Sequence, residues 1–219
     1  MKTTPKLSYL SDIRPYKPEW WVQVKGNKIQ ASCKKNYLLS LDADCRVGEW
    51  KNVENFVITP AGGGYRPTNH PYKLSFMKFT SIEPYEYNNI DMFLDLVEFE
   101  TILSGQLDNN HLIDVVGQAV DIGEKLTLQC SNGKEKKKIE FTLRDINDER
   151  IPCCLWENFA DTLESYIEEA QLGVVVCLIR FAKIGSFRSK LQISNAFDTS
   201  QLLINPPIEE SAALNALEL

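Results

Sequence analysis

The fold is decided by the stretch from residue 151 to residue 179, which reads IPCCLWENFADTLESYIEEAQLGVVVCLI. At its start, Ile151, Cys153 and Leu155 alternate with their neighbours, which predicts a strand with one buried face. The following apolar residues recur at helical spacing and predict an amphipathic helix whose buried face holds Phe159, Leu163, Tyr166, Ile167 and Ala170. Gly173 ends this helix. Val174–Ile179 is apolar throughout, as in a buried strand.

Three further predicted strands flank this strand–helix–strand unit. Leu112–Val120 and Ile139–Leu143 precede it, and Leu191–Ile193 follows it. The order is therefore three strands, one helix and two strands. That order is the layout of a small five-stranded closed barrel, the OB-fold, whose helix plugs one end between the third and fourth strands.

The first half of the chain shows a looser version of the same order. Its predicted strands are Trp20–Val24, Ile29–Cys33, Asn55–Thr59 and Tyr72–Phe76, and Tyr37–Leu41 is a short helix candidate. Only four strands can be counted, so this barrel is either abbreviated or completed by another element. We therefore predict an all-β chain with short helices, built as two tandem five-stranded OB-fold barrels of which the first is shortened. The predicted domains are a shortened OB-fold at 1–81, an acidic linker at 82–105, a second OB-fold at 106–206 and a tail at 207–219.

Composition and charge exclude several classes of protein. The 219 residues are 43% hydrophobic and 25% charged, which is typical of packed globular proteins and not of disordered chains. No apolar run approaches the roughly 18 residues of a membrane helix, and no secretory signal is expected. The net charge of −6 argues against a nucleic-acid binder. However, residues 1–81 hold 13 basic and 6 acidic side chains, so an anion could meet a locally positive face.

Neither the cysteines nor the loops carry a chemical motif. None of the six cysteines stands in a Cys-x-x-Cys pair, and His70 and His111 lie in unrelated surroundings. We expect reduced thiols in an intracellular compartment, no metal and no cofactor. The Gly62–Gly64 loop lacks the Lys-Ser/Thr ending of a phosphate loop, and there is no Gly-x-Ser-x-Gly elbow. The sequence therefore predicts no enzyme, no catalytic residue and no small-molecule substrate.

Several stretches in the same order resemble the large subunit of the replication protein A family, most of all its plant branch. They are PYKPEW at 15–20, GGGYRPTNHPYKLSF at 62–76, Leu112–Gly117, Leu143–Asp145, Leu155–Glu157 and Ile204–Pro206. The resemblance covers the two central tandem OB-folds of that family and nearly the whole chain. It implies sequence-tolerant binding of single-stranded DNA in replication, repair or recombination. It also implies a nuclear protein that associates with the smaller subunits of replication protein A.

The chain also departs from that family. In the first fold, a DNA-contacting loop and a strand that the family places before the segment beginning here at Gly26 are missing. The zinc-bearing C-terminal domain and the N-terminal docking domain of the family have no counterpart, so we expect a central fragment or a shortened paralogue. A rival hypothesis is an OB-fold protein-interaction module with little DNA affinity, which the shortened first fold and the net acidity favour.

The second fold holds the first set of candidate site residues. Binding a single strand needs flat aromatic faces for bases and cations for phosphates. Trp156 is predicted to face outward together with Cys154, and the resemblance implies that it stacks on a base; packing against a loop or the tail is the alternative. Phe187 falls in the predicted loop between strands four and five, where the family has its second stacking residue. The cations of that loop are candidates for phosphate contacts or an ordinary solvated set: Lys183, Arg188 and Lys190.

A second set of candidates lies elsewhere. In the first fold the resemblance implies that Tyr65 stacks on a base beside Arg66, with a strand-edge tyrosine as the alternative. Another family aromatic aligns with Lys34, where a phosphate contact would replace stacking. The run KEKKK at 134–138 is predicted to lie in the loop between strands one and two of the second fold. Its candidates for phosphate contacts are Lys136 and Lys137, and a solvated charge run is the alternative.

Overall fold

The computed structural model describes residues 28–37, 48–87, 89, 91–130, 133–170 and 173–216. The chain folds as two compact units, Met1–Phe93 and Leu94–Leu219. The boundary falls inside the segment 82–105 that the sequence assigns to a linker. The strand predicted at Trp20–Val24 and most of the helix candidate Tyr37–Leu41 lie outside the described residues.

In the first unit, three strands form the described sheet: β1 is Ala31–Cys33, β2 is Lys51–Pro60 and β3 is Tyr72–Pro84. The central strand is β3, with β2 antiparallel on one side and β1 parallel on the other. Ile58 is buried against Ile29, Phe56, Tyr72 and Leu74. The predicted strand at Ile29–Cys33 thus begins only at Ala31, and β3 runs beyond Phe76 into the predicted linker. Within the described residues this sheet is open, so the first barrel stays a prediction.

The second unit contains the predicted run of strands and a helix. Its strands are β4 (Ile113–Val120), β5 (Leu126–Gln129), β6 (Glu135–Arg144), β7 (Arg150–Trp156), β8 (Val176–Phe187), β9 (Lys190–Asn195) and β10 (Gln201–Ile204). Its helices are α1 (Phe99–Leu103), α2 (Asn158–Ala170) and α3 (Glu209–Asn215), with a 3-10 turn at Phe197–Thr199.

Five of these strands close into a barrel. β4 pairs with β6 and with β8, and β6 pairs with β7. β9 completes the ring because it pairs in parallel with β7, at Cys153↔Ile193, and antiparallel with β8. β5 prolongs the first strand along β6, and β10 extends the sheet beside β8. The all-β prediction and the OB-fold layout of three strands, one helix and two strands are confirmed.

The barrel core follows from strand alternation. On β6, Ile139, Phe141 and Leu143 are buried and point inward, whereas the residues between them are half-buried on the outer face. The helix α2 contributes Ala160 and Leu163, both 0% exposed. Burying one large apolar side chain contributes about 1.5–3 kcal/mol, so this set supplies much of the driving force for folding.

A short helix from the predicted linker plugs the barrel. Phe99 and Ile102 of α1 are 2% and 0% exposed and belong to the core cluster. Gly117 of β4 makes room for this plug: a Cβ there would lie 3.0 Å from the Phe99 ring and 3.0 Å from the Arg144 carbonyl oxygen. The glycine is therefore required by a close approach between the helix and the sheet.

A buried carboxylate fixes the start of the barrel. Asp114 is 2% exposed and lies where the pairing of β4 with β8 is irregular. Its Oδ1 accepts the backbone N–H of Phe181 at 3.1 Å, and its Oδ2 accepts that of Asp95 at 3.3 Å. Oδ2 also lies 3.7 Å from Nε of Arg180. The side chain thus ties the segment before α1 to two barrel strands, and removing it would leave N–H groups that cost ~1–3 kcal/mol each when buried unpaired.

We expect Gly117→Ala to lower the free energy of unfolding by about 1–3 kcal/mol, the usual cost of overpacking a core. Urea denaturation followed by circular dichroism measures the change. Gly185→Ala is the matched control, because a Cβ at that strand position meets nothing closer than 3.8 Å. Equal stability of the two variants would contradict the close approach of Phe99.

Candidate nucleic-acid interface

The outer face of β6 and β7 carries Trp156. Lys138 and Trp156 are cross-strand partners, and the next pair along the same face is Glu140 with Cys154. Trp156 is half-buried, and its backbone N–H donates to Oδ1 of Asn195 on β9 at 2.8 Å. The predicted orientation of Trp156 is therefore observed, although part of the indole is covered.

Cys154 lies on the outer face together with Trp156, as predicted, but it is covered. It is only 1% exposed, since it is flanked by Glu140 on β6 and Ser194 on β9. Burial, reinforced by the Glu140 charge, raises the pKa of this thiol to about 11. Cys154 is therefore a protonated, packed part of the surface beside Trp156 and not a reactive thiolate.

The predicted loop between the fourth and fifth barrel strands is in fact a long hairpin. Lys183 lies within β8, Phe187 is the last residue of β8, and Lys190 opens β9 opposite Phe187. Only Arg188 and Ser189 form the turn, with φ values of 50° and 61°. Two consecutive positive φ angles are the geometry of a type I′ turn, which follows the twist of the flanking strands and allows them to continue to the tip.

The tip of the hairpin brings an aromatic ring and cations to the Trp156 face. The Phe187 ring is 47% exposed, and the Arg188 guanidinium lies 5.1 Å from its centroid. Lys138 Nζ lies 5.7 Å from the same centroid and 2.7 Å from Oε1 of Glu140. Lys138 thus contacts Phe187 while pairing across strands with Trp156, so one lysine connects the two predicted stacking residues. The geometry is that of cation–π contacts.

The hairpin tip also forms one wall of a cleft. Phe187, Arg188 and Lys190 face Glu140 and Pro152 across it. Trp156 lies outside this cleft on the same outer face, where Lys138 connects it to Phe187. Lys183, paired with Ser194 further along β8, lies on the same face.

The basic run at 134–138 is mostly strand and not loop. Residues 135–138 begin β6, because β5 pairs with them from Leu126↔Lys138 to Gln129↔Glu135. Strand alternation then separates the lysines: Lys136 is exposed on the side of Lys138, whereas Lys137 has the opposite orientation. Lys138 was not singled out from the sequence, although its alternation with the inward residue Ile139 could have identified it.

Lys137 points to α2, where a carboxylate holds it. Its Nζ lies 3.0 Å from Oδ2 and 3.2 Å from Oδ1 of Asp161, and Lys125 Nζ lies 2.8 Å from Oδ1. Lys125 also pairs with Glu164. Hydrogen bonds from Lys125 and then Lys137 lower the pKa of the Asp161 carboxyl below its ordinary value, and Asp161, then Glu164, raise the pKa of Lys125. This ion-pair cluster fastens the β5–β6 hairpin to α2.

The first unit holds the remaining candidates. Tyr65 is 46% exposed with φ of 59° in the connection between β2 and β3, and Arg66 next to it is half-buried. Lys34 directly follows β1 and is exposed. Their participation in a site stays a prediction.

An aromatic cluster in the first unit was not anticipated from the sequence. The Trp50 ring lies 4.7 Å from that of Tyr87 and 6.0 Å from that of Phe93, and Tyr85 stacks on Tyr87 at 6.5 Å. The cleft beside it is lined by two carboxylates, Glu49 and Glu86, and by one cation, Lys51, which pairs with Glu49. This lining has no excess of positive charge to attract phosphate, so the cluster is better suited to packing than to binding a nucleic acid.

Two other kinds of feature are absent from the described part of the chain. Those residues include no helix long and apolar enough to cross a membrane. They also include no group of three or more His, Cys, Asp or Glu side chains able to hold a metal ion.

Comparison with known proteins agrees with the resemblance found in the sequence. A family model described as a domain of unknown function, DUF223, matches residues 20–105. The chain is 21% identical over 192 residues to a 70 kDa DNA-binding subunit of replication protein A from Oryza sativa subsp. japonica, and the match covers 86% of this chain and 29% of that protein. It is also 23% identical over 198 residues to the replication protein A 70 kDa DNA-binding subunit of Drosophila melanogaster. That match covers 88% of this chain and 30% of the Drosophila protein.

A solved structure with a similar fold is a replication protein A heterotrimer bound to single-stranded DNA. It superimposes with a TM-score of 0.61 at 19% identity, over 94% of this chain and 53% of that chain. Similarity to replication protein A large subunits is thus confirmed, and the chain spans about three tenths of the length of the curated relatives it matches. Because those relatives come from a plant and an insect, a greater similarity to the plant branch stays a prediction.

We expect the Asp161 ion pairs to stabilise the protein only where the carboxyl is ionised. Its folded-state pKa is depressed below 3.8, so the contribution is present above the unfolded-state pKa and is lost as pH falls through the folded value. At neutral pH, the free energy of unfolding of the parent protein should therefore exceed that of the Asp161→Asn variant. The difference should disappear between neutral and acid pH, as the Asp161 carboxyl becomes protonated. Urea denaturation across this range measures it.

Glu169→Gln is the control for this experiment, because Glu169 is exposed on the same helix and outside the cluster. The difference in free energy of unfolding between Glu169→Gln and the parent protein should change little with pH. A pH-independent difference for Asp161→Asn would contradict the ion-pair assignment.

Proposed function

We propose that this chain binds single-stranded DNA without sequence preference, in replication, repair or recombination, through the outer face of its second barrel. Trp156 and Phe187 stack on bases, and cations beside them contact phosphates. The chain acts as a binding protein and not as an enzyme. A nuclear location and association with smaller subunits of the replication protein A type belong to the same proposal, since the similar solved complex is a heterotrimer bound to single-stranded DNA.

The observation that carries the proposal is the joint placement of the two aromatic rings and Lys138. One lysine pairs across strands with Trp156 and lies 5.7 Å from the Phe187 centroid. A single-stranded DNA running over this face would meet Trp156 and Phe187, with Lys138 between them. Base stacking on aromatic side chains contributes ~1–3 kcal/mol per base and accepts any base, because every base has a π-face.

The charge of this face differs from that of the whole protein. Lys136 and Lys138 on β6, and Arg188 and Lys190 at the hairpin tip, all lie there. Glu140 is the carboxylate between them, and Lys138 neutralises one of its oxygens. A locally positive groove can therefore bind a polyanion even though the protein carries a net charge of −6.

The first unit would extend the site. Tyr65, exposed in its loop, would add one stacking surface, and Arg66 and Lys34 would add phosphate contacts. The barrel of the first unit is itself a prediction, so the main proposal rests on the second barrel.

Replacing either stacking residue should weaken binding markedly. We expect Trp156→Ala and Phe187→Ala each to raise the Kd for an oligothymidylate by roughly 5- to 150-fold, the equivalent of ~1–3 kcal/mol. Fluorescence anisotropy of a labelled oligonucleotide measures this. Ile146→Ala is the control, because Ile146 is an exposed apolar residue in the turn between β6 and β7 and lies away from Trp156. If both aromatic variants retain the parent affinity, the assigned face is wrong.

Salt dependence tests the cations separately. Each phosphate contact on a single strand contributes about 0.7 to the slope of log K against log salt concentration. Arg188→Ala and Lys190→Ala should each reduce that slope by about this amount, because both cations are exposed at the hairpin tip. Lys137→Ala should leave it unchanged, because Asp161 holds that ammonium group on the opposite side of β6. A slope that falls equally in all three variants would argue against a localised phosphate track.

A further inference from the structure

A cleft on the second unit lies away from the proposed DNA-binding face. It is formed where the segment before α1, the outer side of β4, the turn after β6 and the helix α3 meet, and its described lining is Leu96, Val97, Glu98, Phe99, Val116, Ile146, Glu209, Glu210, Ala213 and Leu214. Ile146 follows the end of β6, whereas Lys138 lies near its start. Lys138 and Arg144 are six residue steps apart along this strand, a distance of about 20 Å.

The floor of the cleft is apolar. Leu96, Val97 and Val116 are half-buried, and Leu214 of α3 is 2% exposed. Ile146 forms a side wall and is 57% exposed, so a large aliphatic side chain faces solvent beside an apolar floor. Covering such a surface with a second apolar side chain is favourable, because apolar area leaves water.

The rim of the cleft is acidic. Glu98, Glu209 and Glu210 are exposed, and no basic residue is among the described residues of the lining. Glu98 is the N-cap residue of α1, where its side chain makes no capping hydrogen bond, and Glu209 and Glu210 lie in the first turn of α3. The positive end of each short helix carries at most about half a charge, so three carboxylates leave the rim net negative.

We propose that this cleft docks a short amphipathic peptide segment of a partner protein, with lysine or arginine side chains on the acidic rim and an aliphatic anchor beside Ile146. Charge complementarity selects a basic occupant, because a nucleic acid or an acidic peptide would be repelled by the rim. The apolar floor selects a peptide over a free cation. The proposal does not depend on DNA binding, since the cleft and the Trp156 face use different residues.

The test uses the full chain and a short fluorescein-labelled peptide of lysine and leucine residues, with a counterpart that has glutamate at every lysine position. Anisotropy gives both affinities, and backbone amide shifts locate the peptide. The variant Glu209→Lys/Glu210→Lys reverses the charge on the α3 side of the rim. Its matched control is Glu168→Lys/Glu169→Lys, which changes the net charge equally at two positions of α2 outside the cleft.

We expect the rim variant to weaken binding of the basic peptide about tenfold, equivalent to 1.4 kcal/mol, and the α2 control to change it little. Ile146→Ser should weaken it without any change in charge, and Glu98→Gln should do so without touching α3. Amide shifts should map to the segment before α1 and to α3. Oligonucleotide affinity should be unchanged in Ile146→Ser, and the two double charge reversals should alter it equally because they change the net charge equally. Retained oligonucleotide binding shows that each variant is folded and separates this result from the DNA-binding proposal.

Three outcomes would overturn the docking site. Equal weakening by both double charge reversals would mean attraction to net charge only. Unchanged affinity in Ile146→Ser would mean that the apolar wall takes no part. Amide shifts centred on the Trp156 face would mean that the peptide occupies another surface.

Discussion

Closure of the second barrel by the short parallel pairing of β7 with β9 is the constraint on which the candidate site depends. That pairing places Asn195 where its side chain accepts the Trp156 backbone N–H, at 2.8 Å. The antiparallel pairing of β9 with β8 then carries Phe187 to the end of the same hairpin. Two aromatic residues distant in sequence therefore share one outer face because a single strand pairs on both of its edges.

The position of Trp156 could be predicted from the sequence because strand alternation leaves only one orientation once Cys153 and Leu155 are inward. The long β8–β9 hairpin could not, because type I′ turns favour glycine and asparagine, and here Arg188 and Ser189 adopt that geometry. Nothing local distinguishes such a pair from an ordinary loop. The roles of the lysines at 136–138 depend on where β6 begins, which is fixed by pairing with β5 and not by composition.

Charges on the second unit are sorted by face. Asp161 holds Lys125 and Lys137 against α2, and the buried Asp114 lies near Arg180. The carboxylates of the α1–α3 cleft gather at the far end of β6. The charged side chains that remain on the outer face near Trp156 are predominantly basic. The net charge of −6 therefore does not describe the charge of the candidate site.

The cation–π contacts at Phe187 bear on how quickly a polynucleotide could leave. Lys138 Nζ and the Arg188 guanidinium lie 5.7 and 5.1 Å from the centroid of that ring, so a base that stacks on the part they occupy displaces a cation. The displaced ammonium or guanidinium group stays tethered nearby and can return as soon as the base lifts away. Under the DNA-binding proposal, attachment at this point is an exchange of a cation for a base, which favours stepwise release of the nucleic acid over release in one event.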